Sequence, residues 1–430
     1  MPEVAVVGGG VAGLVASLRL SSNGVDVTLF ERRDEVGGRV RSERRDGYVF
    51  DRGFQVLFTA YPEARRYLDY DDLELRSFDP GARIASSDGV STLTDPLRDP
   101  NDAVDALLST DVTLSDKLRT FVLRERLRRK DVESIYRGDD ASIEEYLAER
   151  GFSEKFVHNF AEPFYGGITL DPSLSTSKRV FEFTFKMLSE GDTVVPARGM
   201  ASVPEQLSNR AVESGVDVRT GVRVEALETE GSVGVVLPDG TSEFDAAVVA
   251  TDPKEAMSLT RVESVPTEPR GCVTQYYCLN SDDGVTDSMG KKILLNSDGV
   301  APNLVAPLSN VAPEYAPDGS NLLSAQFLAD NRDPSSGFDP FDEAGSSLRA
   351  TTEERLESWY GVSVDIELLH TDTREFAQFA QPPGIHERLP GNSAPEGNLF
   401  LAGDYTEDSS INGGMRSGRK AADAALESLN

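Results

Sequence analysis

Short apolar runs alternate with amphipathic stretches from the first residues onward. Val4 to Val7 has no polar interruption, the pattern of a central parallel strand buried on both faces. It ends in glycines. Leu14, Leu18 and Leu20 then continue as a helix to Gly24, and Val25 to Phe30 gives a second strand, so a β-α-β unit is expected. Between about residues 75 and 195 the pattern reads as mainly helical, with Leu114, Leu118, Phe121 and Leu127 near helical spacing. Ser142-Ile143-Glu144-Glu145 is a capping box, and Gly151 is a stop for that helix. After Pro204 and Leu207 a helix to Ala211 is expected, followed by strands at Val216 to Val218, Val222 to Leu227 and Ala246 to Ala250. Gly271 to Asn280 reads as a strand, Ser281 to Gly290 as an acidic loop and Asp330 to Ser347 as a loop or insertion. A charged helix near Thr352 to Tyr360 and strands toward Leu369 follow. Asn398 to Asp404 is a buried strand ending in Gly-Asp. The helix after Ser410 carries Gly418, Ala421, Ala422 and Ala425, small enough for close packing on the sheet.

Composition adds a solvent to this picture. The 430 residues carry 43 Lys plus Arg against 73 Asp plus Glu, a net charge of −30. A polyanionic partner such as nucleic acid is not expected. Nine of the basic residues are lysine and 34 arginine, and such an acidic surface suits high salt, where screening removes self-repulsion. No run of ~18 apolar residues occurs, so no membrane-spanning helix is expected. The N-terminal stretch lacks a basic leader, and the expected location is cytoplasmic. The basic run Arg124 to Lys130 reads as a solvated helix face, with peripheral contact to an acidic lipid or partner as the alternative. Cys272 and Cys278 fall six apart on one strand, ~20 Å from each other at ~3.3 Å per residue, too far to bridge. With only three histidines at no ligand-like spacing, no metal site is expected.

The chemistry concentrates in the first fifty residues. Gly8, Gly10 and Gly13 form G-x-G-x-x-G between the strand and the helix, with Val11 and Ala12 at the helix start. Such glycines permit a tight turn, approach of the backbone to a pyrophosphate, and close helix-to-strand packing, while the helix N-terminus supplies N–H donors. Glu31 follows Gly13 by eighteen residues, where a carboxylate accepts hydrogen bonds from an adenosine ribose and disfavours a 2′-phosphate. Next to it stands Arg32. Gly37-Gly38-Arg39 and Phe50-Asp51-Arg52-Gly53-Phe54 add two more glycine points around an arginine able to meet phosphate or a flavin carbonyl.

Together GGGVAGLVASLRL, FERRDEVGGRVRS and FDRGF resemble the flavin-containing amine oxidoreductase superfamily, which includes amine oxidases, phytoene desaturases and protoporphyrinogen oxidases. The resemblance implies an α/β fold: a discontinuous Rossmann-like FAD-binding domain (residues 1–75, 196–255 and 391–430) with an inserted α+β substrate domain (76–195 and 256–390). It implies noncovalent FAD, with Glu31 on the adenosine ribose, Gly38 and Arg39 near phosphate and flavin, and Gly53 and Phe54 beside the ring. Val224 falls where the family contacts adenine through a valine backbone; core packing explains it equally. Gly403 and Asp404 would bind the ribityl or pyrophosphate portion, and the helix beginning near Ile411 and Asn412 would point at the flavin N1 and C2 carbonyl, where reduced flavin carries negative charge.

The substrate side is less defined. Pro163-Phe164-Tyr165-Gly166-Gly167-Ile168 resembles a segment of the protoporphyrinogen oxidase and desaturase branches, with aromatics read either as cavity wall or as packed core. Amine oxidases of the superfamily usually place a lysine near flavin N5 on a strand like Gly271 to Asn280, and Gln275 is expected there instead, with Lys291 or Lys292 as substitutes. Lys186 lies roughly where some desaturases carry a basic residue near substrate, although an amphipathic helix end explains it as well. His386 fits a loop of noncovalent members. The favoured expectation is desaturase-like removal of hydride from an apolar isoprenoid or tetrapyrrole-type substrate, with no catalytic acid or base assigned. Amine oxidation, a non-catalytic prenyl-binding scaffold of the GDP-dissociation-inhibitor type and a nicotinamide dehydrogenase are the alternatives.

Overall fold

The computed structural model describes residues 1–94, 112–280, 284–299, 301–329, 338–343 and 345–429. A five-stranded parallel sheet runs in the order Asp217–Arg219, Asp26–Phe30, Glu3–Val7, Ala246–Val249, Leu399–Leu401, so segments far apart in sequence lie side by side. The uninterrupted apolar run Val4 to Val7 sits at its centre, buried as a parallel strand covered on both faces must be. Helix Val11–Ser21 packs between helices Ile411–Ser428 and Ser202–Glu213.

The small residues of the C-terminal helix explain its approach. A Cβ on Gly418 would stand 2.1 Å from the Ala12 carbonyl oxygen, inside backbone that has no room to move. Gly418→Val is therefore expected to cost about 1–3 kcal/mol or more, read as a lowered urea midpoint. A midpoint within error of the parent would contradict this packing.

A second, seven-stranded sheet has the order Ile366–Phe379, Pro269–Leu279, Leu322–Phe327, Leu304–Pro307, Ile293–Asn296, Ala82–Ser86, Gly89–Leu93. All neighbours are antiparallel except Ile293–Asn296 with Ala82–Ser86. The expected helical reading from residue 75 is corrected here, because Leu75–Ser77, Ala82–Ser86 and Gly89–Leu93 are strands. Ala82–Ser86 finds its central-side partner some two hundred residues later, a pairing that local periodicity does not report. The helices follow: Leu114–Arg128, Val132–Arg137, Ile143–Glu149, Glu162–Thr169 and Lys178–Glu190. The capping box at Ser142 and Glu145 is present, and Gly151 follows that helix with φ +74°.

Several boundaries differ from expectation. Only Ala226–Glu228 of the stretch Val222 to Leu227 is strand, because Val222 instead donates its N–H to the Glu31 carbonyl and leaves the ladder. The acidic loop contains a short helix, Val285–Met289, and residues 281–283 lie outside the described residues. The charged helix spans Gly345–Tyr360 and so begins inside the expected insertion, of which 330–337 and 344 lie outside the described residues. Both cysteines are free.

Candidate functional site: a cavity joining a glycine-rich cradle to an aromatic chamber

A single cavity of about 1290 Å³ runs from the mouth of the parallel sheet to the underside of the seven-stranded sheet. An ordinary small-ligand site occupies roughly 300–1,000 Å³, so a dinucleotide and a substrate can lie end to end here. Gly8, Gly10, Val11, Ala12, Glu31, Arg32, Gly38, Arg39, Gly53, Phe54, Val224, Gly403, Asp404 and Ile411 all line it.

Two expected residues do not. Gly13 is a packing glycine: a Cβ there would lie 2.0 Å from the Gly8 carbonyl oxygen. Asn412 turns away from the cavity and accepts the Glu63 N–H through Oδ1 at 3.0 Å, capping helix Pro62–Tyr67.

The cradle end suits an anionic dinucleotide. The first N–H groups of helix Val11–Ser21 have no intrahelical partner and face the cavity at the positive end of the helix. Gly10 leaves space beside them, since a Cβ there would meet only the Gly38 Cα, at 3.9 Å. Glu31 is buried, with Oε2 accepting the Gly9 N–H at 2.7 Å and Oε1 the Arg33 N–H at 2.9 Å, which fixes its carboxylate at the cavity wall. Across the cavity Arg39 donates to Asp404 Oδ1 at 2.5 Å and to the Ala377 carbonyl at 3.1 Å. Asp404 also accepts from Ser409 Oγ at 2.9 Å and from the Tyr405 N–H. A residue near position 40 and one near position 404 thereby share one ion pair.

Asp51 holds the loop between them. Its buried carboxylate accepts from Ser42 Oγ, the Met200 N–H and the Tyr315 hydroxyl, while the Tyr276 hydroxyl donates to the Asp51 and Gly53 carbonyls. Burial raises the Asp51 pKa above the ordinary carboxylate value despite these donors. The loop Arg52 to Phe54 is thus presented to the cavity on a fixed base.

The other end is aromatic. Phe164, Tyr165, Gly167 and Ile168 line the chamber, so the segment read as wall or core is wall, with Tyr165 also fully buried. Phe160 stacks on Phe164 at 5.1 Å and extends the surface.

Gln275 is the clearest correction. It lies on the opposite face of strand Pro269–Leu279, donating to the Gly345 carbonyl and Thr371 Oγ1 and accepting from the Tyr277 hydroxyl. Cys272 lines the cavity and Tyr276 faces Asp51, so these even-numbered residues look toward the cavity side. A one-residue error of register moves a strand residue to the other face, and this strand is apolar on both. Lys291 is exposed and Lys292 buried, and neither lines the cavity. Lys186 is structural: its Nζ donates to the Leu127 and Arg128 carbonyls at 3.2 Å and to Glu190, closing the C-terminus of helix Leu114–Arg128. His386 also lies outside the cavity, packed edge-on against Tyr136, and burial pulls its pKa down to about 4.

Sequence reasoning missed Asp408. It lines the cavity three residues before the C-terminal helix, hydrogen-bonded by Ser410 and near Tyr61 and Tyr136. Burial pushes its carboxyl up to about 6, against the Ser410 hydrogen bond. A raised folded-state pKa means that its contribution to stability is full at low pH and is lost as pH rises through about 6. Asp408→Asn is expected to leave stability unchanged near pH ~4 and raise it by up to about 3 kcal/mol at pH ~8 in flavin-free protein, measured by urea unfolding. Equal differences at both pH values would contradict a buried, titrating Asp408. Arg374, Ala377 and Gln378, on the long strand Ile366–Phe379, were missed as well.

Known proteins resemble this chain in sequence and in fold. Over residues 11–426 the chain matches the model of the family described as flavin containing amine oxidoreductase. It is 33% identical over 188 residues to protoporphyrinogen oxidase 2 of Arabidopsis thaliana, covering 42% of this chain and 35% of that protein. It is 26% identical over 318 residues to 4,4'-diapolycopen-4-al dehydrogenase of Metabacillus indicus, covering 65% and 62%. Each match therefore spans less than two thirds of the relative's own length. In fold it resembles an oxidoreductase from Methanosarcina mazei, with TM-score 0.73 and 18% identity over 99% of this chain and 100% of that one. Putrescine oxidase bound to putrescine gives TM-score 0.71 and 17% identity over 99% of each chain. The cradle, the paired Arg39 and Asp404 and the match along almost its full length lead to one conclusion: this chain belongs to the flavin-containing amine oxidoreductase family.

Proposed function

We propose that the chain binds FAD noncovalently and oxidises a C–H bond of an apolar, desaturase-type substrate. The observation that carries this reading is the continuity of one cavity, polar and glycine-lined at one end and aromatic at the other. Residues 1–75, 196–255 and 391–430 hold the cofactor in this account, and 76–195 and 256–390 present the substrate. When bound, FAD supplies the two-electron acceptor: a hydride leaves one substrate carbon, a proton leaves its neighbour to solvent, and a double bond forms.

The chain's own residues orient and enclose. Helix Val11–Ser21 and Arg39 would hold the pyrophosphate and Glu31 the adenosine ribose, and the N-terminus of helix Ile411–Ser428 would favour negative charge beside it. Phe160, Phe164 and Ile168 line the chamber and would exclude water and hold an apolar chain there. Among the described residues the lysine lining the cavity is Lys117, on helix Leu114–Arg128 at the rim. The sequence similarity to a carotenoid-type dehydrogenase and to protoporphyrinogen oxidase supports the same substrate class.

Amine oxidation is the second reading, favoured by the Asp408 carboxylate on the cavity wall, which suits a cationic group. Anaerobic mixing with polyenes, porphyrinogens and polyamines separates the two. Bleaching of the flavin band by a polyene or porphyrinogen is expected, and bleaching by polyamines alone would overturn the desaturase-type reading.

A further inference from the structure

We propose that Gln326 sets substrate specificity, its side-chain amide receiving an uncharged carbonyl oxygen at one end of an otherwise apolar substrate. The inference rests on the apolar-substrate reading and deepens it. Gln326 lies on strand Leu322–Phe327, between Leu304–Pro307 and Pro269–Leu279, in the interior of the seven-stranded sheet. It lines the cavity and is only 3% exposed. Leu304 stands beside it, and Phe164 and Ile168 belong to the same chamber. A buried polar group on such a wall costs roughly 1–3 kcal/mol for a hydrogen bond left unmade.

The direction of the amide follows from its neighbours. Asn303 Nδ2 donates to the Pro163 carbonyl at 2.9 Å and lies 3.5 Å from Gln326 Oε1. Turning the Asn303 amide over would set its oxygen against the Pro163 carbonyl, and turning Gln326 over would set two donors together. Gln326 Nε2 therefore points away from Asn303. It has no acceptor among the described residues and is not sealed off, so it opens on the cavity. Gly167 makes room for the pair, since a Cβ there would stand 2.7 Å from Asn303 Nδ2 and 3.2 Å from Gln326 Oε1. The segment Pro163 to Ile168 thus supplies both an anchor and clearance. With Oε1 engaged, the site offers a donor alone, which an acceptor-only oxygen completes; a hydroxyl would bring a proton with no acceptor. The sheet's cation on the cavity wall, Arg374, is already paired with Asp372, which disfavours a carboxylate. An uncharged carbonyl matches what is left.

The test is calorimetric binding, to the full-length flavin-loaded protein, of farnesylacetone, an isoprenoid methyl ketone, and of the hydrocarbon with a methylidene group in place of its oxygen. The ketone is expected to bind about tenfold tighter or more. Gln326→Leu should abolish that preference and bind the hydrocarbon at least as tightly as the parent does, a result that a damaged fold does not give. Gln326→Met, nearer in volume, should behave in the same way. Isotope-edited infrared spectra should place the bound ketone's C=O stretch at lower wavenumber in the parent than in either variant. Equal affinity for the two ligands in the parent, or a preference and a C=O stretch that both variants retain, would overturn the inference and leave the apolar-substrate reading standing. Binding of neither ligand would also overturn it, and flavin bleaching by polyenes, porphyrinogens or polyamines would then decide the substrate class separately.

Discussion

Gly10→Val is expected to yield a folded protein that purifies without flavin, with affinity for FAD reduced at least a hundredfold. Gly10 sits at φ −76°, ψ 175°, an extended conformation open to any residue, so valine imposes no backbone strain. Its Cβ would find the Gly38 Cα at a comfortable 3.9 Å, and the branched methyl groups would then project into the cavity, into the space proposed for the pyrophosphate. Gly13 provides the contrast. A Cβ at Gly13 would collide with the Gly8 carbonyl oxygen at 2.0 Å, so Gly13→Val should damage the fold itself. Circular dichroism and flavin absorbance, measured on both variants, separate the two roles. Near-normal FAD affinity in Gly10→Val would remove the phosphate assignment.

Asp404→Ala is expected to weaken FAD binding ten- to a hundredfold while costing about 1–3 kcal/mol of stability. The carboxylate is buried and holds Arg39, Ser409 and the Tyr405 N–H at once, so its loss frees the guanidinium that lines the cavity and leaves the Tyr405 N–H unpaired. An Arg39→Met variant should weaken binding by a similar factor. Because the two side chains act as a pair, the double variant should be little worse than either alone. Additive losses would mean that Arg39 and Asp404 meet the cofactor separately, and unchanged FAD occupancy in Asp404→Ala would take the residue out of the site.

Glycine spacing, the run Val4 to Val7 and Glu31 made the parallel sheet and the glycine-lined end of the cavity legible, because each is a local requirement of a strand, a tight turn and a helix start. Asp404 was legible only through resemblance; nothing within its own segment announces that Arg39 will reach it. The substrate half was harder for identifiable reasons. Strand Pro269–Leu279 has no polar face to set its register, and Gln275 was therefore assigned to the wrong side. Ala82–Ser86 is held by a partner distant in sequence, and the helical spacing of Leu114 to Leu127 was carried back over it. Asp408 stands in a polar loop of Glu, Asp and Ser, where only the folded wall distinguishes one carboxylate from its neighbours. Lys186 looked functional because a lysine among aromatics is conspicuous, yet helix C-terminal carbonyls use it fully.

The acidic composition leaves its own expectation: stability should rise with salt as self-repulsion is screened, and a protein most stable without salt would contradict a high-salt setting. The central claim is tested most directly by the visible spectrum of purified protein before and after incubation with FAD and removal of excess. A flavin band that co-elutes with the folded chain, and that acid precipitation releases as intact FAD, is the predicted result. Folded protein that stays colourless after incubation would contradict the account.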